Sequence, residues 1–293
     1  MSNFENAIKD KIFVVTTELN PPKGTDLSSL FRKANLLKNS VNAFNITDNH
    51  TSKMSMSPIA VANLLKLQNI EPIVQLACRD KNRIALQSDI LGISALGIEN
   101  ILCMTGDHSN IGDDPDAKPV FDLDGINLLK AVSSLKNGKD LANNELKGNP
   151  KIFSGAVANP GSKDVQKEID RMKTKVEAGA QFFQTQPVYD LKKFESFLNQ
   201  AKLLNVPIIA GHIMLKSADM AERFNKNIPG VSIPQNLIKE LSESTDKKTK
   251  SSNIAIHLIS ELKNMCNGVH LMALGWEILI PKILNKCNIV NEL

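Results

Sequence analysis

Acidic side chains follow two short apolar runs of the chain, at the points where buried strands would end. Glu18 comes directly after residues 12–17, and Asp107 follows residues 100–104 and a Thr-Gly pair. Two acids that share one cleft are a common arrangement for proton transfer, because their surroundings can push their pKa values apart. We therefore predict that Glu18 and Asp107 are candidate groups for acid–base chemistry.

Amide side chains and one glycine accompany these acids. Gln75, Gln184 and Gln186 lie in or just after predicted strands, and Gly106 directly precedes the second acid. A glutamine amide offers both a donor and an acceptor to a planar heterocycle. A glycine lets a ligand approach the backbone closely, since it has no Cβ. The combination predicts a site for a ring-shaped ligand.

Charged side chains also share one face of a predicted helix at residues 164–178. Glu168, Arg171 and Lys175 stand at positions i, i+3 and i+7, which bring them onto the same side. From the residues alone, a solvated helix stripe is the favoured interpretation.

Metal and Schiff-base chemistry are both disfavoured. No two of the five histidines stand at HxH or HxxxH spacing, so we predict no metal site. No lysine falls inside a predicted strand, whereas a Schiff-base aldolase needs a desolvated lysine. Lys216, past the seventh strand, is the nearest candidate.

Eight apolar, β-rich runs alternate with amphipathic stretches, and these elements must position the polar groups. The predicted strands are residues 12–17, 43–47, 72–76, 100–104, 152–157, 181–185, 207–212 and 269–273. Strands buried on both faces indicate a parallel sheet, and eight βα units in about 250 residues close most easily into a barrel. We therefore predict a single (β/α)8 TIM barrel over residues 1–293, with its chemistry at the carboxyl ends of the strands and residues 226–250 inserted between units.

A doubly wound open sheet is the alternative architecture. It is disfavoured because the sequence Glu-Leu-Asn-Pro-Pro, rather than a GxGxxG motif, follows the first strand.

Composition narrows the class of protein. Lys and Arg total 35 against 31 for Asp and Glu, and the basic residues are scattered, so neither a nucleic-acid nor a membrane partner is expected. The four cysteines form no CxxC pair, which predicts a reducing compartment without disulfides. The N-terminus has no signal pattern, and no apolar run approaches the length of about 18 residues that spans a bilayer. A cytoplasmic location is therefore expected.

Several segments of the chain resemble methylenetetrahydrofolate reductases. The similar segments are NITDN at 45–49, PIVQLACRDKNR at 72–83, NILCMTGD at 100–107, KVEAGAQFFQTQP at 175–187, and Thr17-Glu18 with the Asn-Pro-Pro of 20–22. Weaker similarity continues through residues 208–216 and 268–277. The chain is most similar to the bacterial type that consists of the catalytic domain only.

The resemblance implies an enzyme that passes hydride from NAD(P)H through bound FAD to 5,10-methylenetetrahydrofolate, giving 5-methyltetrahydrofolate in one-carbon metabolism and methionine biosynthesis. Glu18 would be the general acid that protonates N10, and Asp107 would lie near the flavin ring and the developing folate cation. Gln186 would bind the pterin. The implied flavin contacts are Thr47, Gln75, Thr105, Gly106, Asp107 and Asn159, with Arg171 and Lys175 facing its phosphates or ribose.

The chain also departs from the family pattern. Leu19-Asn20 stands where an aromatic stretch is frequent, Thr105 where Arg is frequent, and Gln75 where a flavin-contacting histidine is frequent. These departures leave open a flavin-independent reductase with direct hydride transfer. A non-redox subunit of a larger complex is the alternative from another class. The resemblance further implies a homo-oligomer, or pairing with a second redox subunit, and a reaction that can run in either direction.

Overall fold

Eight parallel strands pair in chain order, and the sheet closes where the last strand pairs with the first. The strands are β1 Val14–Leu19, β2 Ala43–Ile46, β3 Pro72–Ala77, β4 Asn100–Met104, β5 Phe153–Ala158, β6 Phe182–Pro187, β7 Ile208–Ile213 and β8 Gly268–Met272. This computed structural model describes residues 1–289, so the last four residues of the predicted domain lie outside the described residues. The predicted (β/α)8 barrel is confirmed.

Helices cover the outside of the barrel, except the first, which precedes β1. They are α1 Asn3–Lys9, α2 Ser28–Leu37, α3 Pro58–Lys66, α4 Arg83–Ala95, α5 Gly125–Lys136, α6 Val165–Glu177, α7 Leu191–Ala201, α8 Ala218–Asn227, α9 Gln235–Glu243, α10 Lys247–Leu262 and α11 Ile280–Lys286. Outward-facing strand residues such as Val15, Phe44 and Val74 pack with the helices in the main apolar core. None of the helices among residues 1–289 has both the length and the apolar character to cross a membrane.

The sequence interpretation missed the first helix, which closes the amino-terminal end of the barrel. Ser2 caps α1 by accepting a hydrogen bond from the Glu5 N–H at 3.0 Å. Phe4 is fully buried, and its ring centroid lies 5.3 Å from that of Phe182. Because α1 turns back at residues 10–12, β1 begins two residues later than predicted, and Glu18 lies inside the strand rather than after it.

The predicted insertion is built from the end of α8, a short segment, α9 and the start of α10. These elements bury a second apolar cluster that includes Leu215, Val231, Leu237 and Leu258. The insertion therefore packs on the barrel between β7 and β8 instead of linking two domains.

Candidate functional site

Glu18 projects from the carboxyl end of β1 into the mouth of the barrel, by alternation with the inward-facing Val14 and Thr16. Burial raises the pKa of its carboxyl, and the positive charge of His50 opposes this rise. The carboxyl borders a cavity of about 280 Å³ whose wall also includes Asn20, Lys33, Met272, Leu274 and Glu277. A carboxyl whose pKa is raised keeps its proton to a higher pH than an exposed glutamate, which suits it to donate a proton to a ligand in the mouth.

A layer of hydrogen-bonded polar side chains lies one step deeper in the barrel. Asn45 and Gln184, on opposite sides of the barrel, exchange two amide hydrogen bonds of 2.7 and 3.1 Å. Gln184 Nε2 also donates to Thr16 Oγ1 at 3.3 Å, and Thr16 Oγ1 lies 2.8 Å from His270 Nδ1. The Thr16 hydroxyl has one proton and two lone pairs, so it can accept from the amide and still either donate to His270 Nδ1 or accept from it. The floor of the mouth is therefore polar and fully ordered by side-chain contacts.

The ends of β2 and β3 supply two of the predicted ligand contacts. Thr47 is buried, and its hydroxyl donates to Asn20 Oδ1 at 2.8 Å. Gln75 is 8% exposed, and its amide makes no hydrogen bond within residues 1–289. Next to them, Asp48 accepts from the Ala77 N–H at 3.1 Å, and burial raises the pKa of its carboxyl. Gln75 thus keeps donor and acceptor capacity that a ligand could use.

The loop after β4 presents backbone and one acid to the mouth. Gly106 has φ +89° and lies so close to Ala77 that a Cβ on it would stand 3.0 Å from the Ala77 Cβ. Asp107 is exposed, and its backbone carbonyl accepts from Arg79. The Thr105 hydroxyl accepts from the Gly125 N–H at 3.0 Å, at the start of α5. Gly106 is therefore required by the backbone, and Thr105 already has a structural partner.

Gln186 is turned towards solvent by an irregularity in β6. The pairing with β7 steps from Gln184 opposite Ile209 to Pro187 opposite Gly211, which leaves one extra residue on β6. Such a bulge re-aims a side chain, and bulges are frequent beside active sites. Gln186 is exposed at the mouth, opposite β2 in the barrel.

The predicted contacts at β5 and α6 are largely engaged within the protein. Asn159 Nδ2 donates to the Pro229 carbonyl at 3.2 Å, and its Oδ1 accepts from the Gly161 N–H. Lys175 is buried, and its ammonium donates to the Val157 carbonyl at 2.6 Å; burial lowers the pKa of this lysine. Arg171, by contrast, is exposed. The favoured interpretation of a solvated stripe therefore describes Arg171 but is wrong for Lys175 and for Glu168, which is buried and accepts from the Asn159 N–H at 3.0 Å.

The fold thus brings the predicted residues together in two groups. Glu18, Thr47, Gln75 and Gly106 stand at the ends of the four consecutive strands β1 to β4, together with Thr105 and Asp107. Gln186 faces them from β6, whereas Asn159, Arg171 and Lys175 lie on the β5–α6 side.

One residue at the mouth had no role in the sequence interpretation. Arg79 lies in the loop after β3 but is only 2% exposed. Its guanidinium hydrogen-bonds to three different residues, one in the same loop and two in the neighbouring loops after β2 and β4. Nothing in the sequence signalled this burial, since an arginine among the charged residues of the CRDKNR segment is ordinarily exposed. Its partners could not be read from the sequence.

His212 shows the opposite case. It ends β7, but its ring lies against Tyr189 with centroids 5.4 Å apart, and neither ring nitrogen has a hydrogen-bond partner within the described part of the chain. Burial lowers the pKa of His212 to about 4. The histidine is therefore a neutral part of the core beside the insertion.

Solved structures with the same architecture include an uncharacterized protein from Clostridium thermocellum that binds two copies of 5-methyl-5,6,7,8-tetrahydrofolic acid. It has a TM-score of 0.66 at 18% identity and is covered over 99% of both chains. A tryptophan synthase from M. tuberculosis has a TM-score of 0.51 at 10% identity, covering 99% of this chain and 96% of that one. At such identities these similarities show the fold alone.

Curated relatives carry one common name. Methylenetetrahydrofolate reductase 2 of Schizosaccharomyces pombe is 24% identical over 80% of this chain and 38% of its own length. The Saccharomyces cerevisiae protein of the same name is 25% identical, over 80% of this chain and 39% of its own. A probable methylenetetrahydrofolate reductase (NADPH) of Caenorhabditis elegans is 21% identical over 66% of this chain and 28% of its own length. The chain thus spans less than two fifths of the length of these relatives. The family model described as methylenetetrahydrofolate reductase matches residues 3–288, so the chain belongs to the methylenetetrahydrofolate reductase family.

Proposed function

We propose that this chain reduces 5,10-methylenetetrahydrofolate to 5-methyltetrahydrofolate with hydride from NAD(P)H, by way of bound FAD. The proposal rests on one observation at the carboxyl end of β1. Burial raises the pKa of the Glu18 carboxyl, and this residue borders an open cavity. Family membership and the folate named for the C. thermocellum neighbour support the choice of substrate.

Glu18 supplies the proton that the folate needs before it can accept hydride. Protonation of N10 breaks the N10–methylene bond and opens the five-membered ring, leaving an iminium carbon at N5. Hydride addition to that carbon then gives the methyl group, and the carboxylate of Glu18 recovers its proton from solvent. A raised pKa suits this step, because a general acid works best when it is still protonated near the working pH.

The groups around the mouth suit a planar flavin. The Gln75 amide is free of protein partners within residues 1–289, while the Gly106 backbone packs closely against Ala77 at the start of the next loop. Together with Thr47, Thr105 and Asn159, these residues would hold the ring, while the exposed Arg171 and the buried Lys175 would lie on the phosphate side. The flavin supplies hydride transfer between nicotinamide and folate, and the protein orients the rings and adjusts their electrostatics.

Asp107 and Gln186 complete the assignment. Asp107, at the exposed end of the β4 loop, would place negative charge near the ring and the developing folate cation. Gln186, exposed at the end of β6 beside the bulge, would exchange hydrogen bonds with the donor and acceptor edge of the pterin.

A flavin-independent reductase on the same barrel is the second candidate. It is favoured by the contacts of Lys175 and Asn159, which already donate to the carbonyls of Val157 and Pro229. A flavin phosphate would have to share or displace these contacts.

An absorbance spectrum and cofactor extraction of the purified protein separate the two candidates. A yellow protein that releases FAD is expected. A colourless protein that still oxidises NADH or NADPH with methylenetetrahydrofolate would overturn the flavin assignment and support direct transfer. A protein that fails to do so even with added FAD would overturn the reductase itself and favour a non-redox subunit.

Glu18→Gln tests the residue that carries the proposal. The variant is expected to lose methylenetetrahydrofolate reduction but to keep oxidation of NAD(P)H by flavin with an artificial acceptor. Normal folate turnover in the variant would refute the general-acid role.

A homo-oligomer of this chain is also proposed. The resemblance of the chain to its family supports self-association. Light scattering after size-exclusion chromatography would give a multiple of 32.2 kDa.

A further inference from the structure

Arg79 occupies a junction between the loops that follow β2, β3 and β4. Its guanidinium is almost completely buried and pairs with Asp80 through two hydrogen bonds, of 2.8 and 2.7 Å. The remaining donors reach the backbone carbonyls of Asn49 at 3.2 Å and Asp107 at 3.3 Å. The planar fork of arginine can make all these bonds at once, which an ammonium cannot do.

Arg79 also holds the β4–α5 loop at a second point. The Val120 N–H donates to the backbone carbonyl of Arg79 at 2.7 Å, near the far end of the loop. One residue of the β3 loop therefore contacts the beginning and the end of the segment that carries Gly106 and Asp107. A loop of this length without such ties would be expected to have several conformations.

The neighbouring β2–α3 loop has a strained backbone that requires restraint. Asn49, Thr51 and Ser52 have φ values of +43°, +52° and +59°, in the left-handed region that non-glycine residues seldom adopt. The Asn49 amide donates to Asp80 Oδ2 at 3.0 Å. The Arg79–Asp80 pair therefore holds this loop through both the side chain and the backbone carbonyl of Asn49. The two loops also touch, since a Cβ on Gly112 would overlap the Ser52 carbonyl.

We propose that Arg79, with Asp80, is the positioning residue of this active site: it sets the backbone of Asp107 and Gly106 relative to the loop that carries His50. The inference rests on the proposed function for the role of Asp107, but the contacts themselves do not. Arg79 touches only the backbone of Asp107, so it acts through that residue and has no direct chemical part.

A double-mutant cycle tests this coupling. Arg79→Lys keeps the charge but loses the fork, and we expect kcat/KM for methylenetetrahydrofolate to fall by at least about tenfold, since small displacements of catalytic groups are costly. In an Asp107→Ala background the same change is expected to cost less than about twofold, because residues that act as a unit are non-additive. Asp80→Asn should act in the same direction. Independent, multiplicative losses would overturn the proposal.

Arg83→Lys is the matched control. Arg83 also pairs with the β4–α5 loop, through an exposed ion pair of 2.8 Å to Asp122, and within residues 1–289 its guanidinium donates to the carboxylate of Asp122 alone. We expect its kcat/KM to stay within about twofold of the wild type.

Hydrogen exchange tests the positioning without any assay of turnover. Arg79→Lys is expected to increase amide exchange in residues 49–53 and 105–112 by about tenfold, with the rest of the barrel unchanged. Unchanged exchange in both loops would refute the proposal. If the wild type reduces no folate, the proposed function fails, while this measurement still decides whether Arg79 orders the loops.

Discussion

The carboxyl of Glu18 combines two properties at the scale of one residue: it faces the mouth, and burial raises its pKa. Because the effect of burial exceeds that of His50, the folded protein favours the protonated acid more than the unfolded chain does. The same burial that makes it a good proton donor therefore makes its ionised form unfavourable for folding.

This conflict predicts a pH-dependent gain in stability for Glu18→Gln. Below pH 4.5, the ordinary pKa of a glutamate carboxyl, Glu18 is protonated in both the folded and the unfolded state. Its burial then causes no loss of folding stability. As the pH rises towards the higher pKa of the folded state, the unfolded chain loses its proton first, so that stability is lost. The variant should then exceed the wild type at pH 8, by about 1.4 kcal/mol for each unit of the pKa difference.

Urea unfolding at pH 4 and pH 8 measures this effect, with the exposed Glu222→Gln on α8 as control. An equal stability difference at both pH values would show that Glu18 is not a buried acid. Turnover of the wild type is expected to fall as the pH rises through the same pKa, because the general acid is lost.

The bulge in β6 acts at the scale of an element. Thr185 Oγ1 accepts from the Gly211 N–H at 3.0 Å and donates to the Gln186 carbonyl at 2.7 Å, so one hydroxyl stabilises both sides of the irregular pairing. These contacts hold the backbone on either side of the bulge that precedes Pro187.

Thr185→Val is expected to destabilise the protein by about 1–3 kcal/mol, because it leaves the buried Gly211 N–H without a partner. The folate KM should rise more than kcat changes, since Gln186 binds the pterin in the proposed function. Thr174→Val is the control: Thr174 is exposed on α6 and should change stability by less than about 0.5 kcal/mol. An unchanged folate KM would separate the bulge from the binding of the substrate.

Helix α1 is an element whose role is structural. Phe4 is 0% exposed and packs with Phe153 and Phe182 at the amino-terminal end of the barrel. Phe4→Ala is expected to lower the free energy of unfolding by about 3–5 kcal/mol while the folate KM of the surviving enzyme stays unchanged. Urea unfolding with Leu203→Ala, at a position 93% exposed, gives the control. A loss below about 1 kcal/mol would mean that the end of the barrel closes without this ring.

At the scale of the whole molecule, two buried histidines predict a loss of stability in mild acid. Burial lowers the pKa of both His212 and His270 from 6.5 to about 4. Between pH 4 and pH 6.5, these two imidazoles are protonated in the unfolded chain but neutral in the folded protein. Stability is therefore complete above pH 6.5 and falls as the pH drops towards 4, by about 2 kcal/mol per histidine at pH 5.

His212→Phe keeps a ring against Tyr189 and removes this titration. We expect the loss of unfolding free energy between pH 7 and pH 5 to be about 2 kcal/mol smaller than in the wild type. His257→Gln, at an exposed position on α10, should leave the loss unchanged. A wild-type loss in His212→Phe would mean that the buried ring is protonated in the folded state.

The sequence by itself determined the architecture and the main site candidates. Each strand is a short apolar run, so the eight buried strands and their order could be predicted from local sequence. Glu18, Gly106 and Gln186 were then predicted as site residues because they stand where these strands end. Helix α1 was not predicted because its burial depends on Phe182, which is distant in the sequence.

Only the tertiary structure decided which polar groups are free and which are engaged. Lys175 and Arg171 share a helix face, yet one donates to a buried carbonyl of β5 and the other faces solvent. Arg79 donates to backbone carbonyls on two other loops, and the ring of His212 is buried against Tyr189. Hydrogen-bond partners and burial are properties of the closed barrel, since they depend on residues that only the fold brings into contact.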